Sequence, residues 1–356
     1  MISKKDNYDL SSHNTFRMKV SCRSFVEVTR PEDLEAVSFR SLPEPLFVMG
    51  GGSNLLFTGD FPGTVLHYAE AYIRVENRDE DSGEVIVKAG GGTLFDDLCS
   101  FCCAEGFWGT ENLSLIPGEV GASAVQNIGA YGVEAKDIIC GIHAFDLERG
   151  VFVDIDPKDC GYGYRTSFFK TIWKGRFIIT SVSFRLSLLP DPRLDYGGIR
   201  KAIESRYPGE TLLTPRMVRD TVVAVRNSKL PDPAVLGSAG SFFCNPVIPR
   251  GHFEKISRIA EADNGTGYSV PHYDTPDGVK VPAAWMIDQC GLKGRTVGGA
   301  MVYPSQPLVI VNATGEALPE DILSLENLVI SSVRNKYGVS LHPEVEHVGT
   351  RSPETK

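Results

Sequence analysis

Three glycine-rich loops constrain the fold of this chain more than any other feature. They cover residues 50–52 after the apolar run 46–49, residues 90–92 after 85–87, and the longest segment, 116–132. Glycine lets a backbone approach a ligand closely, and successive N–H groups in such loops can bind phosphate oxygens. Because the three loops are distributed along the chain, they predict a long ligand that carries phosphates and is bound mainly by backbone N–H groups.

The loops lack the two most familiar nucleotide-binding motifs. A Rossmann loop requires G-x-G-x-x-G between a strand and a helix, but Leu55 and Phe95 stand where the last glycine would follow Gly50 and Gly90. A Walker loop is absent too, because glycine is nowhere followed by Lys-Ser or Lys-Thr. The loops belong to a phosphate binder of another fold, or they are only turns.

Composition excludes several classes of protein. The 356 residues, 42% of them hydrophobic, suffice for two or three domains with a buried core. The net charge of −9 argues against a nucleic-acid-binding protein, which would show a basic face, but is compatible with a local pocket for an anionic substrate. Residues 1–12 are polar, unlike a signal peptide, and no run reaches the ~18–20 apolar residues of a transmembrane helix. We expect a cytoplasmic protein that binds neither nucleic acid nor membrane.

Three of the eight cysteines, Cys99, Cys102 and Cys103, form a C-x-x-C pattern that suggests zinc or redox chemistry. The apolar residues of 94–103 have helical spacing, and no second cysteine or histidine pair completes a four-ligand site. We therefore expect a helix whose cysteines pack in the core, no metal, and a reducing compartment.

Apolar periodicity predicts a mixture of strands and helices, and hence an α+β or α/β class. Strands are expected at 46–49, 65–68, 85–89, 142–147, 151–155, 177–188, 297–302 and 308–312, and helices from Pro31 and at 94–103, 214–226, 251–262, 282–290 and 320–337. The proline-rich residues 229–233 predict a linker. The polar tail 350–356 is expected to fray.

Residues 237–246 place one hydroxyl, that of Ser241, between glycines and two phenylalanines. A tight loop here would hold that hydroxyl beside an aromatic wall, as a proton donor requires. The plain alternative is a Gly-Ser turn that enters an apolar strand.

Six motifs then occur in one order along the chain, at residues 49–57, 117–132, 163–170, 229–233, 237–246 and 343–345. Together they resemble the type I members of the UDP-N-acetylenolpyruvoylglucosamine reductase family. The resemblance implies an α+β fold, with a two-domain FAD-binding region of the vanillyl-alcohol oxidase type and a C-terminal α+β substrate domain. The implied divisions are 1–72 and 73–228 for the FAD-binding subdomains, 229–340 for the substrate domain, and 341–356 for a segment that carries a catalytic glutamate.

The resemblance also implies a reaction. NADPH would reduce FAD, and the flavin would reduce the enolpyruvyl group of UDP-N-acetylenolpyruvoylglucosamine to UDP-N-acetylmuramate, a step of peptidoglycan precursor synthesis. The loop 50–54 contains no histidine, so we expect FAD to bind non-covalently. The implied partners are the UDP-sugar and NADPH, and we expect a monomer.

Three catalytic residues are implied by the family motifs. Arg165 would stabilise the charge that develops on the substrate carboxylate, Ser241 would donate the proton, and Glu344 would donate a hydrogen bond or proton in its neutral form. In isolation, Arg165 and Glu344 would more often be ordinary solvated surface charges.

The binding residues implied by the resemblance fall into two sets. Cofactor-binding positions are Gly50, Gly51, Gly52, Ser53, Asn54, Gly118, Gly121, Ala122, Ser123, Gln126, Asn127, Gly129 and Ala130. Substrate-binding positions are Tyr196, Lys229, Asn245 and Gln306, although Tyr196 could instead only pack in a turn. Cys244 stands where some relatives have a lysine, which leaves that cationic contact open. His342 stands where some relatives have a second acidic residue, which leaves the charge balance near Glu344 open.

Two competing functions remain at this point. An FAD oxidase or dehydrogenase acting on an alcohol or sugar would share the N-terminal loops without requiring Arg165, Ser241 and Glu344 together. A non-enzymatic nucleotide-binding module would require only the loops.

Overall fold

The computed structural model describes residues 1–349 of the chain, so the tail 350–356 that was expected to fray lies outside the described residues. In chain order the strands are β1 Ile2–Asp9, β2 Ser21–Val28, β3 Leu46–Met49, β4 Leu55–Phe57, β5 Phe61–Tyr68, β6 Ile73–Asp79, β7 Glu84–Gly90, β8 Gly129–Ala130, β9 Val133–Glu134, β10 Ile139–Asp146, β11 Val151–Ile155, β12 Phe177–Ser187, β13 Gly237–Ser241, β14 Val247–Ile248, β15 Tyr273–Thr275, β16 Gly278–Lys280, β17 Thr296–Val297, β18 Ala300–Val302, β19 Val309–Asn312 and β20 Glu346–Val348.

The helices confirm every helix that the apolar periodicity predicted. They are α1 Glu32–Ala36, α2 Phe95–Ala104, α3 Val120–Gln126, α4 Ile199–Arg206, α5 Pro215–Lys229, α6 Arg250–Asn264, α7 Ala283–Gln289 and α8 Pro319–Tyr337. Helices α3 and α4 were not predicted, because α3 lies inside a segment rich in glycine and α4 is short and mostly polar.

The chain divides into two compact units. The first comprises Met1–Asp9, Ser21–Gly52 and Phe61–Ser228, and the second comprises Leu10–Val20, Ser53–Asp60 and the described chain from Lys229. The chain passes from the first unit to the second where the substrate domain was predicted to begin. The four predicted domain ranges, 1–72, 73–228, 229–340 and 341–356, stay predictions.

The first unit contains two larger sheets and the short two-stranded sheet β8-β9. In the four-stranded sheet β1-β2-β5-β3, strand β5 runs parallel to β2 and β3. The five-stranded sheet β11-β10-β12-β7-β6 is antiparallel throughout. Helix α2 buries its apolar face in a core shared with β7 and β12, and this core confirms the packing role expected for Cys99 and Cys102.

Burial makes the cysteines of α2 poor nucleophiles. It raises the pKa of the Cys102 thiol to about 12 and raises that of Cys99 well above its usual value. A thiolate is the reactive and metal-binding form, so these cysteines behave as small apolar side chains. Across residues 1–349, no group of three or more His, Cys, Asp or Glu side chains could hold a metal ion.

The second unit is built around the antiparallel sheet β13-β19-β18-β17. Helix α8 starts with Pro319 in its first turn and ends at Gly338, whose φ of +67° suits glycine. Its buried residues Ile322, Leu325 and Val329 recur at helical spacing, which is why the periodicity predicted this helix correctly.

Two predicted elements need correction. The single strand expected at 297–302 is a hairpin, β17 and β18, because Gly298 and Gly299 separate its arms. Helix α5 continues to Lys229 rather than ending at Arg226, so Lys229 is helical and the linker begins after it. In the described part of the chain, none of the helices is long and apolar enough to span a membrane.

Candidate active site

The first glycine-rich loop follows β3 directly and packs against one acidic side chain. A Cβ atom added at Gly50 would lie 3.1 Å from Oε2 of Glu119, and one added at Gly51 would lie 3.5 Å from Oε1. Gly52 has a φ of +65°, which strains any residue with a side chain. The loop thus presents backbone rather than side chains, as close approach to a phosphate requires.

Glu119 is in turn held by a histidine from the sheet. His67 on β5 places Nε2 at 2.9 Å from Oε1 of Glu119 and Nδ1 at 3.3 Å from Oε2 of Glu27 on β2. Burial lowers the pKa of His67, but the hydrogen bonds and charges of Glu119 and then Glu27 outweigh it, so the pKa is raised.

The second glycine-rich loop serves packing instead of ligand binding. A Cβ atom at Gly91 would lie 2.3 Å from the carbonyl oxygen of Ile179, and one at Gly92 would lie 2.6 Å from backbone atoms of Ala69. Glycine is needed here so that neighbouring chain segments can touch. The N–H groups of Gly90, Gly91 and Gly92 already donate to carbonyl oxygens of the protein, so the interpretation of this loop as a phosphate site is wrong.

The long segment 116–132 is stabilised by its own polar side chains. Asn127 is fully buried with a φ of +49°, and its amide nitrogen donates to the carbonyl of Gly163 at 2.8 Å. The hydroxyl of Ser123 donates to Val120 at 2.6 Å. Gly121 passes close to the sheet, because a Cβ atom added to it would lie 3.2 Å from the backbone oxygen of Ile179 and 3.3 Å from that of Gly91.

Arg165 is held by that same segment. Its guanidinium donates to the carbonyl oxygen of Gly129, and a Cβ atom at Gly129 would lie 2.8 Å from its Nη1. Arg165 has a φ of +56°, and the turn around it is closed by the hydrogen bonds between Gly163 and Thr166. Lys170 donates to the amide oxygen of Gln126. Two of the six motifs, 117–132 and 163–170, therefore meet within the first unit.

Tyr196 lies beside the end of the long segment. A Cβ atom at Gly132 would lie 3.2 Å from Cβ of Tyr196, and one at Gly197 would lie 2.9 Å from the ring of Tyr131. Near Tyr131, the Nε atom of Arg226 is buried without a hydrogen-bond partner among the described residues. Burial lowers the pKa of Arg226, while the nearby Tyr131 and Asp96 oppose that effect. Because a buried donor without a partner is unfavourable, the Nε–H of Arg226 could donate to an anionic group of a ligand.

In the second unit, Ser241 is the last residue of β13 and not part of a free loop. Strand β13 pairs Ser238 with Val311 and Ser241 with Val309, so its register with β19 is interrupted between the two serines. Gly240 supplies the irregularity with a φ of +70°. A β-bulge of this kind redirects a side chain, so the backbone of Ser241 is set by a strand irregularity and not by the predicted tight loop.

Glu344 is brought next to this strand by backbone hydrogen bonds. Its N–H donates to the carbonyl of Phe242 at 2.8 Å, and Phe243 forms a bridge with Pro343. Asn54 donates to the carbonyl of Glu344 at 3.1 Å. One end of the first glycine motif, Asn54, thus lies with Ser241 and Glu344 in the second unit.

The remaining predicted binding residues occupy several positions. Asn245 accepts a hydrogen bond from the N–H of Ala283 at 2.9 Å, which fixes it at the start of α7. Gln306 lies in the turn before β19, where its carbonyl accepts from Val309. Lys229 ends α5 and is exposed, and Ser53 belongs to the second unit with Asn54.

Sequence reasoning missed Glu119, His67 and Arg226. Glu119 could have been found, because it lies within the motif 117–132 and is the single acidic residue between Pro117 and Gly132. His67 and Arg226 gave no signal, since a lone histidine in a strand and an arginine in a polar helix are ordinary.

Comparison with known families agrees with this division of the chain. The model of an FAD binding domain matches residues 24–156, and that of the UDP-N-acetylenolpyruvoylglucosamine reductase C-terminal domain matches residues 232–348. These matches confirm the predicted fold class, an α+β chain with an FAD-binding region before a C-terminal reductase domain.

Similar proteins cover the chain almost completely. A UDP-N-acetylenolpyruvoylglucosamine reductase of Bacteroides fragilis is 45% identical over 97% of this chain and 100% of its own, and one of Burkholderia multivorans is 42% identical over 96% of each chain. The crystal structure of such a reductase from Thermus caldophilus, 24% identical, shares the fold over 98% of both chains with a TM-score of 0.62. The chain therefore belongs to the UDP-N-acetylenolpyruvoylglucosamine reductase family, as its six ordered motifs predicted.

Proposed function

We propose that this protein reduces the enolpyruvyl group of UDP-N-acetylenolpyruvoylglucosamine to UDP-N-acetylmuramate, with FAD as cofactor and NADPH as reductant. The observation that carries the proposal is the likeness to reductases of that name at 45% identity over nearly the full length of both chains. The reaction belongs to peptidoglycan precursor synthesis, and we place it in the cytoplasm of the cell.

The residues present fit a flavin dinucleotide. Gly51 and Gly52 have no side chains, which allows a diphosphate to approach their backbone closely. The match to an FAD binding domain includes the strands on either side of this loop, β3 and β4. When bound, FAD supplies the two-electron transfer between NADPH and the substrate. We assign its binding to residues from the two loops that were predicted for it: Gly50, Gly51, Gly52, Ser53, Asn54, Gly118, Gly121, Ala122, Ser123, Gln126, Asn127, Gly129 and Ala130. Asn127 and Ser123 contribute through the loop they hold, because their side chains bond within the protein.

Arg165 stabilises the negative charge that develops on the substrate carboxylate during reduction. A guanidinium already fixed by the carbonyl of Gly129 needs little reorganisation when that charge appears. The planar guanidinium can also donate two parallel hydrogen bonds to a carboxylate.

Ser241 donates the proton to the carbon that bears the ether oxygen. The bulge at Gly240 fixes the serine backbone, so its hydroxyl is presented in one place. Glu344 supports the reaction in its neutral form, because a carboxylate beside a developing enolate would repel it.

Substrate phosphates and sugar are held by Tyr196, Lys229, Asn245 and Gln306. We add Arg226, whose buried Nε lacks a partner among the described residues and would gain one from an anion. Use of NADPH rather than NADH, and a monomeric state, are further parts of the proposal.

The proposal is tested by turnover with a defined substrate. Purified protein containing FAD should oxidise NADPH only when enolpyruvyl-UDP-GlcNAc is added, and mass spectrometry should find UDP-N-acetylmuramate in an amount equal to the NADPH consumed. Oxidation of NADPH at the same rate without the sugar nucleotide, with oxygen consumed instead, would favour the oxidase alternative. Protein that takes up no FAD would favour a nucleotide-binding module.

A further inference from the structure

His67 occupies an unusual position between two carboxylates from different elements. Its Nε2 lies 2.9 Å from Oε1 of Glu119 and its Nδ1 lies 3.3 Å from Oε2 of Glu27. The side chains of His67 and Glu119 are only 13% and 8% exposed, and that of Glu27 is 35% exposed. Interactions between charges so placed are screened much less than those at a surface.

The chemistry of the imidazole decides which form makes both contacts. A neutral imidazole donates from one nitrogen only, whereas the imidazolium donates from both. Two charged groups that face His67 are Glu27 from β2 and Glu119, the residue before α3, while Met49, its register partner on β3, is uncharged. Both carboxylates favour the imidazolium, which can satisfy them together.

The contact reaches directly into the flavin loops. Gly50 follows Met49 in the chain, and a Cβ atom added to it would lie 3.1 Å from Oε2 of Glu119, whose other oxygen contacts His67. Glu119 itself immediately precedes α3, where Gly121 and Ala122 lie. A movement of the Glu119 carboxylate would therefore disturb both segments at once.

We propose that His67 is a positioning residue for FAD: by joining Glu27 and Glu119 it fixes the glycine loop 50–52 relative to the segment 118–130. The inference rests on the proposed function, in which both segments bind the flavin. Neither His67 nor Glu119 needs to touch the cofactor for this role.

The direction of the pH effect follows from the charges. The pKa of His67 is raised in the folded protein. Below that pKa the imidazolium bonds both Glu27 and Glu119, and one of the two hydrogen bonds is lost as the pH rises through the pKa. FAD should therefore bind more tightly on the acidic side of neutrality than on the basic side.

The test measures the dissociation constant of FAD by fluorescence titration of the flavin-free protein at about pH 6 and about pH 8.5, on either side of an ordinary histidine pKa. Wild-type protein should bind FAD more tightly at the lower pH. His67→Gln should weaken binding at the lower pH by about tenfold, as for loss of one hydrogen bond to a charged group, and should remove most of the pH dependence.

Two further variants keep the inference open to refutation if His67→Gln folds poorly. Glu27→Gln removes the more exposed carboxylate and should shift the pH dependence of FAD binding downward while tight binding at low pH persists. The matched control is His143→Gln, because His143 on β10 makes a similar contact, with Nδ1 2.7 Å from Oδ1 of Asp154, in the five-stranded sheet of the same unit. It should change neither the dissociation constant nor its pH dependence.

The outcomes separate this inference from the proposed function. Wild-type protein that binds no FAD would overturn both. Wild-type protein that binds FAD, together with His67→Gln and Glu27→Gln variants whose affinities and pH dependence match it, would overturn the inference alone. A lower melting temperature of the His67→Gln variant with unchanged FAD affinity would also overturn it, because His67 would then serve only the fold.

Discussion

At the scale of single residues, the position of the Ser241 hydroxyl depends on a backbone irregularity. The bulge before Ser241 interrupts the ladder between β13 and β19, while Phe242 resumes it by donating to Leu308 at 2.8 Å. A serine is a weak acid, so it can protonate a carbon only where it is held against the reacting atom.

Ser241→Ala should separate the two halves of the reaction. Reduction of FAD by NADPH requires no proton from this hydroxyl and should proceed at close to the wild-type rate. Reoxidation by the enolpyruvyl substrate should slow by about 10²–10⁴-fold, the usual contribution of a positioned acid. Stopped-flow absorbance of the flavin measures each half, and Ser238→Ala on the same strand serves as control. Wild-type reoxidation by Ser241→Ala would show that the proton comes from elsewhere.

Gly129→Ala should displace Arg165 without altering the guanidinium itself. The new methyl group would lie 2.8 Å from Nη1 of Arg165 and 2.9 Å from the carbonyl oxygen of Val133, so the Arg165 side chain and the backbone at Val133 must both shift. A displacement of about 1 Å can reduce turnover by roughly 10²-fold, and we expect a fall in kcat of that order, measured per molecule of bound FAD. Gly251→Ala is the control, since nothing lies within 4 Å of its added carbon. A kcat equal to that of wild type would argue against a fixed role for Arg165.

At the scale of elements, two glycines of the flavin motifs have different roles. A Cβ atom at Gly51 would make an ordinary contact at 3.5 Å with a carboxylate oxygen, whereas one at Gly121 would lie 3.2 Å from the backbone oxygen of Ile179. The Glu119 carboxylate can move away from a new side chain at Gly51. The backbone of Ile179, which lies in a strand, cannot move away from one at Gly121 without disturbing the sheet.

Gly51→Val should therefore lower FAD affinity while the flavin-free protein keeps its melting temperature. Gly121→Val should lower the free energy of unfolding itself, by about 1–3 kcal/mol as for overpacking, and lose FAD as a consequence. Thermal melting and FAD titration of both flavin-free variants distinguish the two effects. Equal melting temperatures for the two variants would contradict this assignment.

The same elements show what the sequence could and could not predict. Helix α8 and strand β12 follow from periodicity, because apolar residues recur at helical spacing in α8 and alternate with polar residues along the second half of β12. The role of Gly91 could not be predicted, since a glycine needed for chain packing and one needed for a phosphate look alike in sequence. Strand β1 was missed because six of its eight residues are polar, and its pairing with β2 supplies the stabilisation that its own composition does not indicate.

At the scale of the whole molecule, the proposed machinery is divided between the two units. Arg165, Tyr196 and most cofactor-binding positions belong to the first unit, and Ser241 and Glu344 belong to the second. The six motifs identified the family because they are spread over nearly the whole chain, whereas each alone is compatible with an ordinary turn. The supporting residues Glu119 and His67 emerge only in the folded chain, since their contact joins positions 52 residues apart in the sequence.

The central claim is that this chain transfers electrons from a nicotinamide to an enolpyruvyl sugar nucleotide and not to oxygen. The most direct test is to reduce the enzyme-bound FAD with NADPH under anaerobic conditions and then mix it, in separate experiments, with enolpyruvyl-UDP-GlcNAc or with oxygen. We predict that the sugar nucleotide restores the oxidised flavin spectrum within the time of one turnover and leaves UDP-N-acetylmuramate, while oxygen does so far more slowly. Rapid reoxidation by oxygen with none by the sugar nucleotide would contradict the claim.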